Sequence, residues 1–263
     1  MYAFTLEQPK TLADAKRLTA GGAQALAGGQ TLIASMKQRL LRPENLVDLG
    51  GIDVLRGIQV DGKQVVIGAM TTHADVAASA EVRKHLPALA ALAEGIGDRQ
   101  VRAMGTMGGS VANNDPAACY PSAVLALGAT VVTDRREIAA DAFFQGLYTT
   151  ALEPGELITA IRFPIPTKAA YAKFRQPASR FAMLGVFVAH TASGVRVAIT
   201  GGGNGVCRHA GLEAALSKSF TPEAVTGVAI DPADFSGDLH ASAAYRAHLV
   251  KVQTQAAVRQ ANG

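Results

Sequence analysis

Glycine placement restricts how this chain can fold more than any other feature. Eleven of its 27 glycines cluster at positions 21–22, 28–29, 105–109 and 201–205, as in specific loops and not a linker. In the stretch Gly105–Thr106–Met107–Gly108–Gly109–Ser110–Val111–Ala112–Asn113–Asn114–Asp115–Pro116, three glycines fall within five residues. Small and amide side chains follow, then a proline that opens an apolar run. Backbone without side chains can approach another molecule closely and aim several N–H groups at one spot, which suits a phosphate or a polar cofactor. Ala27–Gly28–Gly29–Gln30–Thr31–Leu32 has the same character and leads into a helical pattern over 32–41. The expectation is that two loops hold the two ends of one cofactor; a tight structural turn is the alternative for each taken alone.

With 263 residues, 49 % hydrophobic and 17 % charged, the chain can bury a sizeable core as one large domain or two ordinary ones. A net charge of +4, with no basic run beyond two residues, argues against nucleic acid as a partner. Two cysteines, Cys119 and Cys207, without a CxxC pair, argue against a disulfide framework, a zinc site or an iron–sulfur cluster on this chain. The N-terminal residues lack the basic and apolar regions of a signal peptide, and no apolar run approaches the length of a membrane span. A soluble, cytoplasmic protein is expected.

Thr11 reads as the cap of a short helix, 23–27 as a buried strand, Gly28–Gly29 as a turn with Thr31 capping the helix over 32–41, and 46–49 as a further strand. Asp61–Gly62 between 57–60 and 64–68 signals a hairpin. Helices are expected over 72–80, 86–95 and 116–127, with a looser stretch at 96–104. Strands are expected over 129–132 and 157–163, and Phe143 and Phe144 in the core. After Pro164–Ile165–Pro166 the pattern changes to strands at 170–175, 181–191 and 195–200, then helices near 209–217, 222–226 and 239–261. Strands followed by helices indicate a separate α+β unit of 167–263 behind a first unit of 1–166.

Neither of the first two glycine stretches contains the Gly-Lys-Ser/Thr of a phosphate-binding P-loop. Gly201–Gly205 follows a strand, but a dinucleotide fingerprint fails at its third glycine, so a structural turn is the better reading. The six histidines, His73, His85, His190, His209, His240 and His248, have no metal-ligand spacing and read as surface or packed residues. No G-x-S-x-G nucleophile elbow occurs. Anion-binding loops without an evident acid, base or nucleophile suit a protein whose cofactor does the chemistry.

The two glycine motifs resemble the paired FAD-binding signatures of the flavoprotein subunits of molybdenum hydroxylases, the medium subunits of carbon monoxide dehydrogenase type, which are similar to the flavin domain of xanthine dehydrogenase. Lys173–Ala182 resembles the segment that opens the family's C-terminal domain, and Tyr245–Lys251 its closing helix. The resemblance implies an α+β fold: a PCMH-type FAD-binding domain of two α/β subdomains, about 1–52 and 53–166, followed by a C-terminal domain with a three-stranded antiparallel sheet and a helical bundle. It implies FAD on this chain and partners: a large subunit with a molybdenum cofactor and a small subunit with two [2Fe–2S] clusters, in a dimer of heterotrimers. Electrons would pass from the clusters through FAD to an outside acceptor.

By the same resemblance, Ala27, Gly28, Gly29, Gln30 and Thr31, with Leu32, and Thr106, Met107, Gly108, Gly109 and Ser110 wrap the FAD pyrophosphate and adjoining groups. Ile96, with Gly97, and Ile158 flank the flavin, Arg175 supplies a cation near its pyrimidine end, and Phe181 stands where some relatives place a tyrosine. Core packing for Ile96, Ile158 and Phe181, and a solvated strand charge for Arg175, are the structural alternatives. Cys119 replaces an aspartate that in several relatives hydrogen-bonds the ribityl chain, and Gln30 and Ser110 also depart from the commoner choices. A thiol accepts poorly, so FAD is expected to be held more weakly on that side unless Asn114 or Asp115 substitutes. Two other functions fit the residues less well: a free-standing flavin oxidoreductase of the vanillyl-alcohol-oxidase type, and a non-catalytic scaffold subunit.

Overall fold

A computed structural model describes all 263 residues. The first fifty form a small parallel sheet: β1 (Thr5–Glu7), α1 (Leu12–Ala20), β2 (Gln24–Leu26), α2 (Leu32–Lys37) and β3 (Asn45–Asp48), with β3 central. Thr11 caps α1 as expected, its hydroxyl accepting from Asp14 N at 3.1 Å. The core under this sheet joins Ala15, Val47 and Ile52 to Leu55, Met70 and Leu157 of the next unit. Helix α2 ends four residues earlier than the apolar pattern suggests. Leu40 and Leu41 are exposed, and Arg39 turns left-handed at φ 62°, so no buried face holds the last turn.

The second unit is an antiparallel sheet of β4 (Ile58–Asp61), β5 (Gln64–Gly68), β6 (Thr130–Thr133), β7 (Glu137–Ala139) and β10 (Ile158–Pro164), in the order β4-β5-β10-β6-β7. Six short helices lie between β5 and β6: α3 (His73–Ala78), α4 (Ala80–His85), α5 (Pro87–Glu94), α6 (Arg99–Met104), α7 (Met107–Asn113) and α8 (Tyr120–Ala126). Between β7 and β10 come α9 (Ala140–Phe143) and a small hairpin, β8 (Phe144–Gly146) and β9 (Thr149–Thr150). Three expectations are corrected here. The stretch 96–104 contains α6, because the Asp98 carboxylate accepts from Val101 N at 2.8 Å and caps a turn with little apolar signal. The glycine-rich stretch from Met107 to Asn113 is a helix, not a loop. Helix α8 starts at Tyr120, not Pro116, because the Asp115 carboxylate accepts from Ala117 N at 2.8 Å and folds 115–118 into a turn.

The third unit follows Pro164–Pro166. Three long antiparallel strands, β11 (Lys168–Arg175), β12 (Ala182–Thr191) and β13 (Gly194–Thr200), match the expected sheet. A two-residue strand, β14 (Cys207–Arg208), adds to its edge and is too short to show in any periodicity. Helices α10 (Ala210–Lys218) and α11 (Ala243–Asn262) complete the unit, and Pro222–Val225 forms a 3-10 turn. The sheet serves two cores. Leu184, Val186, Val188, Val197 and Ile199 face α10 and α11, while Phe187, Ala189 and Ala198 face the helices of the second unit. Side chains alternate along a strand, so burial on both faces explains the unbroken apolar run of 184–189.

Candidate functional site

A cleft of about 810 Å³ opens where the three units meet, within the range of small-molecule and cofactor sites. Its first jaw is Ala27–Leu32, all of which line it. Gly29 is left-handed at φ 69°, turning the chain from β2 into α2. The backbone N–H groups of Gly28, Gly29, Gln30, Thr31 and Leu32 have no acceptor in the protein. Thr31 adopts a helical conformation and its side chain caps nothing, correcting the expectation that it would satisfy the helix start itself. Five consecutive open donors make a nest for an anion. A Cβ on Gly28 would lie 2.2 Å from the carbonyl oxygen of Met104 and 2.7 Å from Gly105 Cα, so the two glycine stretches touch backbone to backbone.

The second jaw is wired differently. Thr106 caps α7, its hydroxyl accepting from Gly109 N at 3.2 Å, while Met107 N donates to Thr71 O at 3.0 Å and Gly108 N to Ala69 O at 2.8 Å. Ser110 N donates to Thr106 O at 3.1 Å. Its glycines permit packing: a Cβ on Gly108 would sit 2.5 Å from Ala69 Cβ, and one on Gly105 2.6 Å from His73 Nε2. Thr106, Gly108, Gly109 and Ser110 line the cleft, whereas Met107 is fully buried in the second unit's core.

Asn114 is left-handed at φ 44° and buried, and its amide donates to Gly146 O at 2.8 Å and Thr149 O at 2.9 Å. It stands outside the cleft and fixes the β8–β9 hairpin, whose turn residue Tyr148 reaches the cleft. Asp115 does line the cleft, accepting from the Tyr148 hydroxyl at 3.3 Å. The far wall contains Ile96, Gly97, Cys119, Ile158 and the half-exposed Phe181. Arg175 is exposed and outside the lining, because the register shifts between Phe174 and Arg175 at the end of β11 and re-aims the last residue. Two other cations, Lys173 and Arg180, line the wall instead. Lys173 Nζ donates to Gly95 O at 2.8 Å and Arg180 O at 3.0 Å and lies 3.4 Å from Cys119 Sγ. Arg180 donates to Gly97 O at 3.2 Å and holds a left-handed φ of 61°. Tyr148 (φ 52°) and Arg180 are non-glycine residues in strained conformations at the cleft rim, a concentration common at binding sites.

Two titratable groups in the cleft wall are strongly shifted. His73, 5 % exposed, is lowered to about 4 by burial and, less so, by the Arg102 charge, so its imidazole is neutral at pH 7; its Nδ1 has no protein partner. Burial alone would raise the Glu156 carboxyl, but Arg136, the Glu153 N–H and the Thr133 hydroxyl outweigh it and hold the group at about 2. Glu156 is therefore a structural carboxylate.

The model of the FAD binding domain in molybdopterin dehydrogenase matches residues 2–166. Over 277 residues the chain is 36 % identical to the carbon monoxide dehydrogenase medium chain of Hydrogenophaga pseudoflava, covering 97 % of this chain and 96 % of that one. It is 34 % identical to the nicotine 6-hydroxylase medium subunit of Paenarthrobacter nicotinovorans, covering 95 % and 94 %. A solved structure of reconstituted CO dehydrogenase from Oligotropha carboxidovorans superposes with a TM-score of 0.91 at 34 % identity, covering 99 % of each chain. The chain belongs to the FAD-binding medium subunits of the molybdenum hydroxylase family.

Proposed function

We propose that this chain is the electron-passing subunit of a heteromeric molybdenum hydroxylase. It takes electrons from the [2Fe–2S] clusters of a small partner subunit and delivers them through FAD to an outside acceptor, while a large subunit holds the molybdenum cofactor. FAD, when bound, supplies a carrier that accepts and releases an electron pair. The full-length likeness to medium chains of such complexes supports the partners; a dimer of heterotrimers in the cytoplasm is the assembly we infer.

The observation that carries the reading is the row of five unpartnered N–H groups from Gly28 to Leu32, opening into a cleft of cofactor size. In this reading those donors hold the pyrophosphate, with Ala27 and Gly109 closing the jaw behind it. Ile96, Ile158 and Phe181 offer apolar surface to the ring system. Lys173 and Arg180 put positive charge at the same wall, where charge would favour a reduced, anionic ring. We place the boundary between the FAD-binding unit and the C-terminal unit at 166/167, and that between the two subdomains of the first at 52/53.

Purification tests the reading. The chain, alone or with its partner subunits, should emerge yellow with flavin absorption, and acid should release the FAD intact. A colourless complex that takes up no added FAD overturns it. Flavin that stays with the acid-precipitated protein would instead favour the covalent, free-standing oxidase type.

A further inference from the structure

Cys119 closes the N-terminus of α8 in the second unit; Lys173 lies on β11 in the third. The thiol is 6 % exposed, yet it borders the cleft, and Lys173 Nζ stands 3.4 Å from it. Two carbonyls, Gly95 O and Arg180 O, hold the lysine there, and it forms no ion pair in the protein. The Tyr171 hydroxyl lies beside the same thiol. A half-buried amine without a counter-charge is thus fixed against a cysteine across a seam between two units.

We propose that Cys119 and Lys173 form a reversible, peroxide-triggered covalent lock across the cofactor cleft. In the first step the Cys119 thiolate attacks hydrogen peroxide. An S–O bond forms, the O–O bond breaks, and the sulfur is oxidised by two electrons to a sulfenic acid while the peroxide is reduced to water. In the second step Lys173, having released a proton to solvent, attacks that sulfur. An N–S bond forms, the S–O bond breaks and a second water leaves. The product is a sulfenamide joining β11 to α8, with no further oxidant needed. Two equivalents of a small thiol reverse it, restoring thiol and amine and leaving the reductant as a disulfide. The lock removes a cation and a thiol from the cleft and ties its two walls together, so it should slow both entry and release of a bound cofactor.

The test uses the full chain, with and without added FAD, so that a failure to bind flavin leaves the chemical result readable. After brief hydrogen peroxide treatment, non-reducing peptide mapping should recover a Cys119–Lys173 cross-linked peptide, about 2 Da lighter than the sum of its parts and lost on reduction with dithiothreitol. In Lys173→Met the sulfenic acid has no internal amine to meet, so dimedone should label Cys119 at least about tenfold more than in the wild type. In Cys119→Ser the cross-link should be absent. Equal dimedone labelling of wild type and Lys173→Met overturns the proposal. So does a wild-type Cys119 that remains a free thiol under peroxide that oxidises Cys207. The second outcome is read in the wild type alone, so a variant that folds poorly does not decide the matter.

Discussion

Around Gly28 the backbone donors are open; around Gly108 they are spent. The first glycine stretch presents five N–H groups with no protein acceptor, and the second donates from Met107, Gly108, Gly109 and Ser110 to Thr71, Ala69 and Thr106. Both stretches combine small residues with threonine, and both border the same cleft. The difference lies in what each backbone meets. Ala27–Leu32 leaves a small edge sheet and faces open space, whereas Met107–Ser110 starts a helix against the end of β5, where carbonyls of Ala69 and Thr71 are waiting. Glycine permits close approach in either case; whether it receives a ligand or a neighbouring strand depends on which acceptors are already there.

Alanine substitutions should separate the two roles. In Gly28→Ala the new methyl would collide with the Met104 carbonyl, at 2.2 Å, and lever the nest away from the second jaw. FAD affinity should fall by about 100-fold, or about 2.8 kcal/mol, in a flavin fluorescence titration. An unchanged Kd would remove the nest from the cofactor site. In Gly108→Ala the methyl meets Ala69 instead, and the loss should appear as stability, about 1–3 kcal/mol by urea unfolding, as for other overpacked sites. The folded fraction should keep nearly wild-type FAD affinity. If affinity falls as far as in Gly28→Ala, the two jaws are not distinct.

Acid should act on the packed jaw. His73 lies under Gly105 with its folded-state value lowered from 6.5 to about 4, so between those values the unfolded chain binds the proton and the folded chain does not. Stability is then complete above pH 6.5 and declines as pH falls, by about 2 kcal/mol at pH 5 from this group. Glu156 adds a second, lower window: its folded-state carboxyl is depressed to about 2, so its contribution is present above pH 4.5 and fades as pH drops toward 2. The urea midpoint should therefore fall between pH 7 and pH 5, and His73→Leu should flatten that slope. A slope unchanged by the substitution would show that the imidazole is solvated in the native protein.

Much of the fold was legible before the structure. Alternation and breakers place β4, β5, β10, β12 and β13 within a residue or two, and the Pro164–Pro166 break falls where the sheet of the third unit begins. Short helices were less legible. Helix α6 carries no buried side chain and depends on a single Asp98 cap, so periodicity has nothing to detect. Within the site, the two glycine stretches, Ile96, Ile158, Cys119 and Phe181 line one cleft. Arg175 does not, because a bulge leaves no trace in composition. Lys173 and Arg180 are not legible as site residues, because a charge on a strand or turn looks solvated until the cleft beside it is known. His73 looked like packing, and its neutral state depends on burial that only the assembled helices create.

The smallest expected effect isolates one hydrogen bond at each jaw. Thr106 and Thr31 occupy the same place, one residue before a short helix. Thr106 accepts from Gly109 N at 3.2 Å, but Thr31 accepts nothing. Removing a working cap costs about 1 kcal/mol, whereas removing an idle hydroxyl at a surface site stays within about 0.5 kcal/mol. Thr106→Ala should therefore lower the thermal midpoint of the FAD-free chain by a few degrees, and Thr31→Ala should leave it in place. With FAD bound the order should reverse in the affinity measurement if the Thr31 hydroxyl, free in the protein, turns toward the cofactor. Thr31→Ala would then weaken binding severalfold while Thr106→Ala would not. Equal losses of stability in the FAD-free chain would mean that Thr31 caps α2 after all, and that the first jaw satisfies its own donors as the second does.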